Sequence, residues 1–213
     1  MKKQEQELYN LAYRLSLFTI FYNIIEGLVS IALGLHDETL TLFGFGVDSF
    51  IEVISGIAIA VMILRIKNNP ESSKGNFEIK ALRVTGFSFY ILSFGLVGGI
   101  IINLITSHKP ETTISGVVIS LISILIMLWL MNAKKKVGKK LNSEPIIADS
   151  NCTKVCVYMS IVLLLASLIY EITGFAYADV IGTAGLIYFS ITEGKEALEK
   201  AKGKECSCEK DCH

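Results

Sequence analysis

Six stretches of the chain run long with few or no charged residues. They are Leu15 to Leu35, broken once by Glu26; Thr39 to Leu64, broken by Asp48 and Glu52; and Val84 to His108, unbroken. Ile114 to Ala133 and Val155 to Tyr170 are also unbroken, the latter extending back to Ala148 if Lys154 is tolerated, and Phe175 to Thr192 contains only Asp179. A soluble helical bundle interrupts such runs with polar residues every few positions. About 18–20 apolar residues suffice to cross a bilayer. The pattern therefore predicts an all-α membrane protein of six transmembrane helices.

Composition agrees. Of 213 residues, 52% are hydrophobic and 19% charged, and the mean hydropathy is +0.53. Lys and Arg together number 20, as do Asp and Glu. That balance excludes a strongly basic nucleic-acid binder, and the hydropathy excludes a disordered, solvating chain. The length holds the six spans and leaves no room for a large soluble domain. The expected division is an N-terminal segment 1–10, a transmembrane domain 11–200 and a Cys-rich tail 201–213. The first run is long and charged, and no Ala-x-Ala-like site follows it, so it does not read as a cleaved signal peptide.

The charges between the runs set an orientation. Lys2, Lys3 and Arg14 precede the first run, while the following His36-Asp37-Glu38 has no Lys or Arg. Arg65, Lys67, Lys74, Lys80 and Arg83 follow the second run, and Lys109 alone follows the third. Lys134, Lys135, Lys136, Lys139 and Lys140 follow the fourth; Glu171 to Gly174 has none; the C-terminal residues again hold several lysines. The positive-inside rule then places both termini in the cytoplasm, with the protein in the cell (inner) membrane.

Charge within a spanning helix is costly and usually marks function. Asp48 and Glu52 stand at i and i+4, on one helix face with Cβ atoms about 5–6 Å apart. Two carboxylates that close and that dry do not both stay ionised without a cation between them. A bound metal ion answers this, as do shared protons. Cys152 and Cys156 repeat the spacing in the fifth run. If the second and fifth helices face each other, two carboxylates and two thiolates make a four-ligand site near the tetrahedral preference of Zn²⁺. Thiolates would bias such a site toward softer ions such as Cd²⁺. Asn23 and Glu26 stand at i and i+3 in the first run, where Glu26 is either a gate or proton carrier or an interhelical hydrogen-bonder. Asp149 and Asp179 both fit N-cap or first-turn acids, with Asp149 also placed for an accessory part in transport.

The tail carries Cys206, Cys208, Cys212 and His213 within eight residues. That density suits soft-metal capture, against the alternative of a disordered terminus with incidental thiols. Gly95 and Gly99, and Ala178 and Gly182, have the small-xxx-small spacing that lets helices pack closely, within one chain or in a homodimer. No nucleophile accompanies His36, His108 or His213, so no hydrolytic enzyme is expected.

These residues resemble the transmembrane domain of the cation diffusion facilitator family. Val47-Asp48-Ser49-Phe50-Ile51-Glu52 is similar to the family's second-helix ligand motif. Ala148 to Cys156 resembles the stretch that holds the fifth-helix pair, and Ala178-Asp179 with a Gly/Ala-rich continuation is similar to the sixth helix. The resemblance implies a six-helix cation-efflux bundle that exports a divalent metal cation from the cytoplasm by proton antiport. Metal ions, protons and the lipid bilayer are then its partners, with no cofactor. Two departures stand out. The fifth-helix pair is Cys152 and Cys156 where the family commonly has His and Asp, which shifts the expected cargo from Zn²⁺ toward softer ions. The family's C-terminal cytoplasmic domain is not expected in the residues after the sixth run, and the tail would replace part of its sensing. The rival readings are a non-transporting membrane metal receptor or buffer, and a membrane thiol oxidoreductase.

Overall fold

A computed structural model describes residues 3–68, 76–106, 113–175 and 177–202. They form six helices: α1 (Lys3–His36), α2 (Leu40–Asn68), α3 (Asn76–Thr106), α4 (Ile114–Leu141), α5 (Glu144–Thr173) and α6 (Tyr177–Ala201). Each corresponds to one charge-poor run, extended at one or both ends. The helix α1 includes residues 3–10, so its 34 residues span about 50 Å at 1.5 Å each. Likewise α4 continues through the lysine-rich segment to Leu141. Five of the helices are long and apolar enough to cross a membrane. The sixth, α6, has 25 residues; it is long enough but more polar, carrying Asp179, Glu193 and a charged C-terminal part.

The connections show why the chain turns where it does. Between α4 and α5, Asn142 adopts the left-handed conformation and its N–H returns to the carbonyls of the last turn of α4; Ser143 then precedes α5, with Pro145 in its first turn. Gly174 ends α5 at φ 65°, a conformation in which glycine carries no Cβ penalty. These tight turns make successive helices antiparallel. One end of the bundle therefore collects the α1–α2, α3–α4 and α5–α6 connections (the far end). The other collects the α2–α3 and α4–α5 connections (the near end).

Around the bundle the order is α1, α2, α3, α6, α5, α4 and back to α1, with α2 also touching α5 and α6 across the middle. The closest approach is between α1 and α2. A Cβ on Gly34 would lie 2.5 Å from the Phe43 nitrogen, and one on Gly46 2.8 Å from the Ile31 nitrogen. Of the small residues expected to pack, Gly182 and Gly99 do so, since a Cβ there would meet Ala166 at 2.5 Å and Leu40 at 2.9 Å respectively, whereas a Cβ on Gly95 would meet nothing within 4 Å among the described residues. An unanticipated pair joins α3 to α6, where Gly86 and Gly194 bring backbones together.

The polarity of the molecule is inverted relative to a water-soluble bundle. Phe94 is 83% exposed, and Ile91, Ile105, Leu125 and Ile172 are similarly open, whereas Asn23, Ser30, Thr41, Ser120 and Thr183 are wholly buried. Apolar groups outside and hydrogen-bonding groups inside are what a lipid solvent selects. Two apolar clusters fill the interior. One, at the near end, joins α1, α2, α4 and α5 through Tyr9, Leu15, Ile63, Leu130 and Val137. The other, on the far-end side of Asp48, joins α2, α3, α5 and α6 through Leu42, Phe45, Leu96, Leu163 and Leu186.

Candidate metal-cation site

Between these clusters lies a cavity of about 60 Å³. Asn23 of α1, Asp48 and Glu52 of α2, and Cys156 of α5 line it. Asp48 is 2% exposed. Asn23 donates from Nδ2 to Glu52 Oε2 at 3.0 Å, and the Cys156 thiol donates to Glu52 Oε1. Three helices thus meet at one carboxylate. The i, i+4 spacing on α2 sets Asp48 one turn from that contact. Asp48 Oδ1 and Asn23 Oδ1 are buried and have no hydrogen-bond partner among the described residues. Unsatisfied buried acceptors are rare and costly, and acceptors are what a cation requires.

The other expected residues divide. Cys152 lies on α5 one turn before Cys156, but its side chain is outside the described residues, as are Cys206, Cys208, Cys212 and His213. Among the described residues, no group of three or more His, Cys, Asp or Glu is gathered closely enough to hold an ion. Glu26 does not line the cavity. It is 7% exposed and accepts from Tyr22 Oη at 2.7 Å and from Ser49 Oγ at 3.2 Å, which ties α1 to α2.

Asp149 is not an N-cap or first-turn acid. The N-cap of α5 is Ser143, and Asp149 lies in the second turn. It lines the cavity and pairs with Lys134 Nζ of α4 at 3.0 Å. Lys134, counted in the sequence with the basic link, is itself buried, because α4 does not end before it. Asp179 is a first-turn acid of α6, but its carboxylate serves another helix. Its oxygens accept the backbone N–H groups of Leu40 and Thr41, each at 3.0 Å, and so cap the N-terminus of α2. The same arrangement recurs where Glu171 of α5 accepts the N–H of Thr113 at 3.1 Å, just before α4. Sequence reasoning missed Glu193, which lines the cavity from α6. It falls one residue beyond the charge-poor run, although its seven-residue spacing from Leu186 and fourteen from Asp179 place all three on one helical face.

The remaining lining residues lie level with Asp48 or toward the near end, among them Leu82, Thr85 and Phe89 of α3, Met127 and Lys134 of α4, Thr153 and Met159 of α5, and Ala197 of α6. The cavity thus extends from the acidic pair toward the near end, and the apolar side chains of Leu42, Phe45, Leu96, Leu163 and Leu186 pack on its far-end side.

A lipid-facing six-helix bundle with acids and a thiol gathered in its interior defines a membrane protein that handles cations. Comparison with known proteins agrees: the model of the cation efflux transmembrane domain matches residues 16–201. The chain belongs to this family, whose members transport cations across membranes. It is also 26% identical over 176 residues to an uncharacterized transporter of Methanocaldococcus jannaschii. That match takes in 80% of this chain, and the chain spans 61% of the length of that relative.

Proposed function

We propose that the protein exports a divalent or soft metal cation, Zn²⁺, Cd²⁺ or a similar ion, from the cytoplasm by alternating access coupled to proton antiport. The observation that carries this reading is the one-sided cavity whose inner end holds acceptors without a partner among the described residues. In the orientation that the basic segments favour, the near end and both termini face the cytoplasm. The cavity then opens the cation site inward, with the apolar cluster sealing it from outside.

An ion held among buried groups has shed part of its water, and protein groups must replace it; Asp48, Glu52, Cys156 and, one turn away, Cys152 are the hard and soft donors for this. Closure of α2 on α5 would complete the coordination. Ligands lose protons to bind metal, so protons arriving from the outer side would displace the ion there.

The test is flux in proteoliposomes. The purified protein is reconstituted and presented with Zn²⁺, Cd²⁺, Fe²⁺ and Cu⁺ under an imposed proton gradient. Proton-driven movement of at least one ion, lost in Asp48→Asn, is expected. Metal binding without flux would favour the receptor or buffer reading, and undiminished flux in Asp48→Asn would sink the site.

A further inference from the structure

Lys134 is the unexpected resident of this cavity. The helix α4 ends in five lysines, and Lys135, Lys136, Lys139 and Lys140 are exposed. Lys134 is 2% exposed, on the same helix face as the buried Met127, Leu130 and Val137. Its ammonium lies 3.0 Å from Asp149 Oδ2 and donates to Thr153 Oγ1 at 3.1 Å. Both partners line the cavity that holds Asp48, Glu52 and Cys156, and Glu52 lies within electrostatic range of the ammonium.

A buried cation costs desolvation, and apolar residues of similar size often serve a fold as well as a buried ion pair. An ammonium in a cation-transport cavity also repels the cargo. Stability and binding therefore both argue against a lysine here, and an ionisable group inside a membrane bundle normally marks function.

We propose that Lys134 is a tethered counter-cation that offsets the cavity's ionised carboxylates while the carrier returns without metal. The proposal rests on the transport reading above. Among the described lining residues the cavity has four carboxylates, Asp48, Glu52, Asp149 and Glu193, and one ammonium. When a divalent ion is bound, its two charges and the ammonium together offset most of the negative charge. After protons displace the ion, the carboxylates that stay ionised repel one another in a low-dielectric interior, and closing the metal-free cavity is opposed. The lysine stem is flexible, with a compact charge at its tip. From Asp149 it can swing toward Glu52 when the ion departs and back when one arrives. Lys134 thus acts as a positioning residue for the return step and does not ligate the ion.

The test separates two modes of transport in proteoliposomes, with Zn²⁺ as probe. Net efflux requires the metal-free carrier to return. Zn²⁺/Zn²⁺ exchange, with the ion on both sides, does not. Lys134→Gln is expected to lower net efflux by about tenfold or more, with exchange within about threefold of wild type, as expected when one step gains a barrier of that size. Lys134→Arg, which keeps the charge, should restore net efflux in large part. A purely structural ion pair makes a different prediction: Lys134→Gln/Asp149→Asn, which removes both charges, would recover net efflux. Under the proposal the double variant stays deficient in net efflux while exchanging. Equal loss of both modes in Lys134→Gln, unchanged net efflux, or recovery in the double variant would each overturn the proposal. Absence of both modes in the wild-type protein would overturn the transport reading itself, and this proposal with it.

Discussion

Replacing Asp179 with Ala tests whether the helix that carries Asp48 and Glu52 is held in register from another helix. The Asp179 carboxylate accepts two backbone N–H groups, from Leu40 and Thr41, each at 3.0 Å. Removing it leaves two donors at the start of α2 without a partner, at about 1–3 kcal/mol each. The loss of a negative charge at a helix N-terminus adds about 0.3–1 kcal/mol. Thr41 still donates to the Asp179 backbone carbonyl at 2.7 Å and contacts Thr183 Oγ1 at 3.0 Å, so α2 and α6 remain attached and the lower half of the range applies, roughly 2–4 kcal/mol. For a chain of this size each kcal/mol moves Tm by about 2–4 °C. Thermal unfolding in detergent, followed by far-ultraviolet circular dichroism, should therefore fall by about 4–16 °C in Asp179→Ala. Asp179→Asn keeps one acceptor oxygen and should lose about half as much. A Tm for Asp179→Ala within about 2 °C of wild type, or an Asn variant as damaged as the Ala variant, would refute the capping argument.

Four further outcomes are expected. Asp48→Asn should reduce metal flux by more than about tenfold, equivalent to ~1.4 kcal/mol, with the circular dichroism spectrum unchanged; full flux would remove Asp48 from the site. Cys156→Asp replaces a soft donor with a hard one, so the ratio of Cd²⁺ to Zn²⁺ flux should fall by about tenfold, or ~1.4 kcal/mol; an unchanged ratio would separate Cys156 from ion selection. Gly46→Ala places a Cβ 2.8 Å from the Ile31 nitrogen, and overpacking of that kind costs about 1–3 kcal/mol, measurable as a lowered Tm. Deleting residues 204–213 should change the rate or its dependence on metal concentration without abolishing flux, and a complete loss would show that the tail belongs to the transport path.

The six helices were legible because lipid selects long charge-poor runs, and each such run became one helix. The acidic pair was legible for the opposite reason: Asp48 and Glu52 interrupt a run where charge is expensive. Legibility failed at the helix ends. Lys134 and Glu193 adjoin runs that seemed to finish at Ala133 and Thr192, and a charge at such a border looks solvated when only its neighbours in sequence are known. In the folded chain α4 and α6 continue inward past these points, and both side chains reach the cavity. Asp179 shows a different limit of local spacing. Its position in the first turn of α6 was correct, yet its hydrogen bonds run to α2, more than a hundred residues earlier in the chain. Local spacing reports which helix a side chain belongs to, but not which neighbour it serves.

The same distinction bears on how the bundle can work. The helix α2 is fastened at its far end by Asp179, at its crossing with α1 by Gly34 and Gly46, and in its middle by hydrogen bonds from Ser49 to Glu26 and from Asn23 and Cys156 to Glu52. The fixed contacts include those where helices cross or begin, whereas the contacts of Glu52 are side-chain hydrogen bonds that an arriving cation would replace. On the proposed reading, a cation bound by Glu52 and Cys156 would take over the bond between them without disturbing the helix ends. Metal binding would then alter how α2 meets α5 while α2 remains anchored to α1 and α6. Alternating access needs that division between a stable frame and an exchangeable centre. Here the frame consists of backbone approaches and caps, and the centre of one carboxylate shared by three helices.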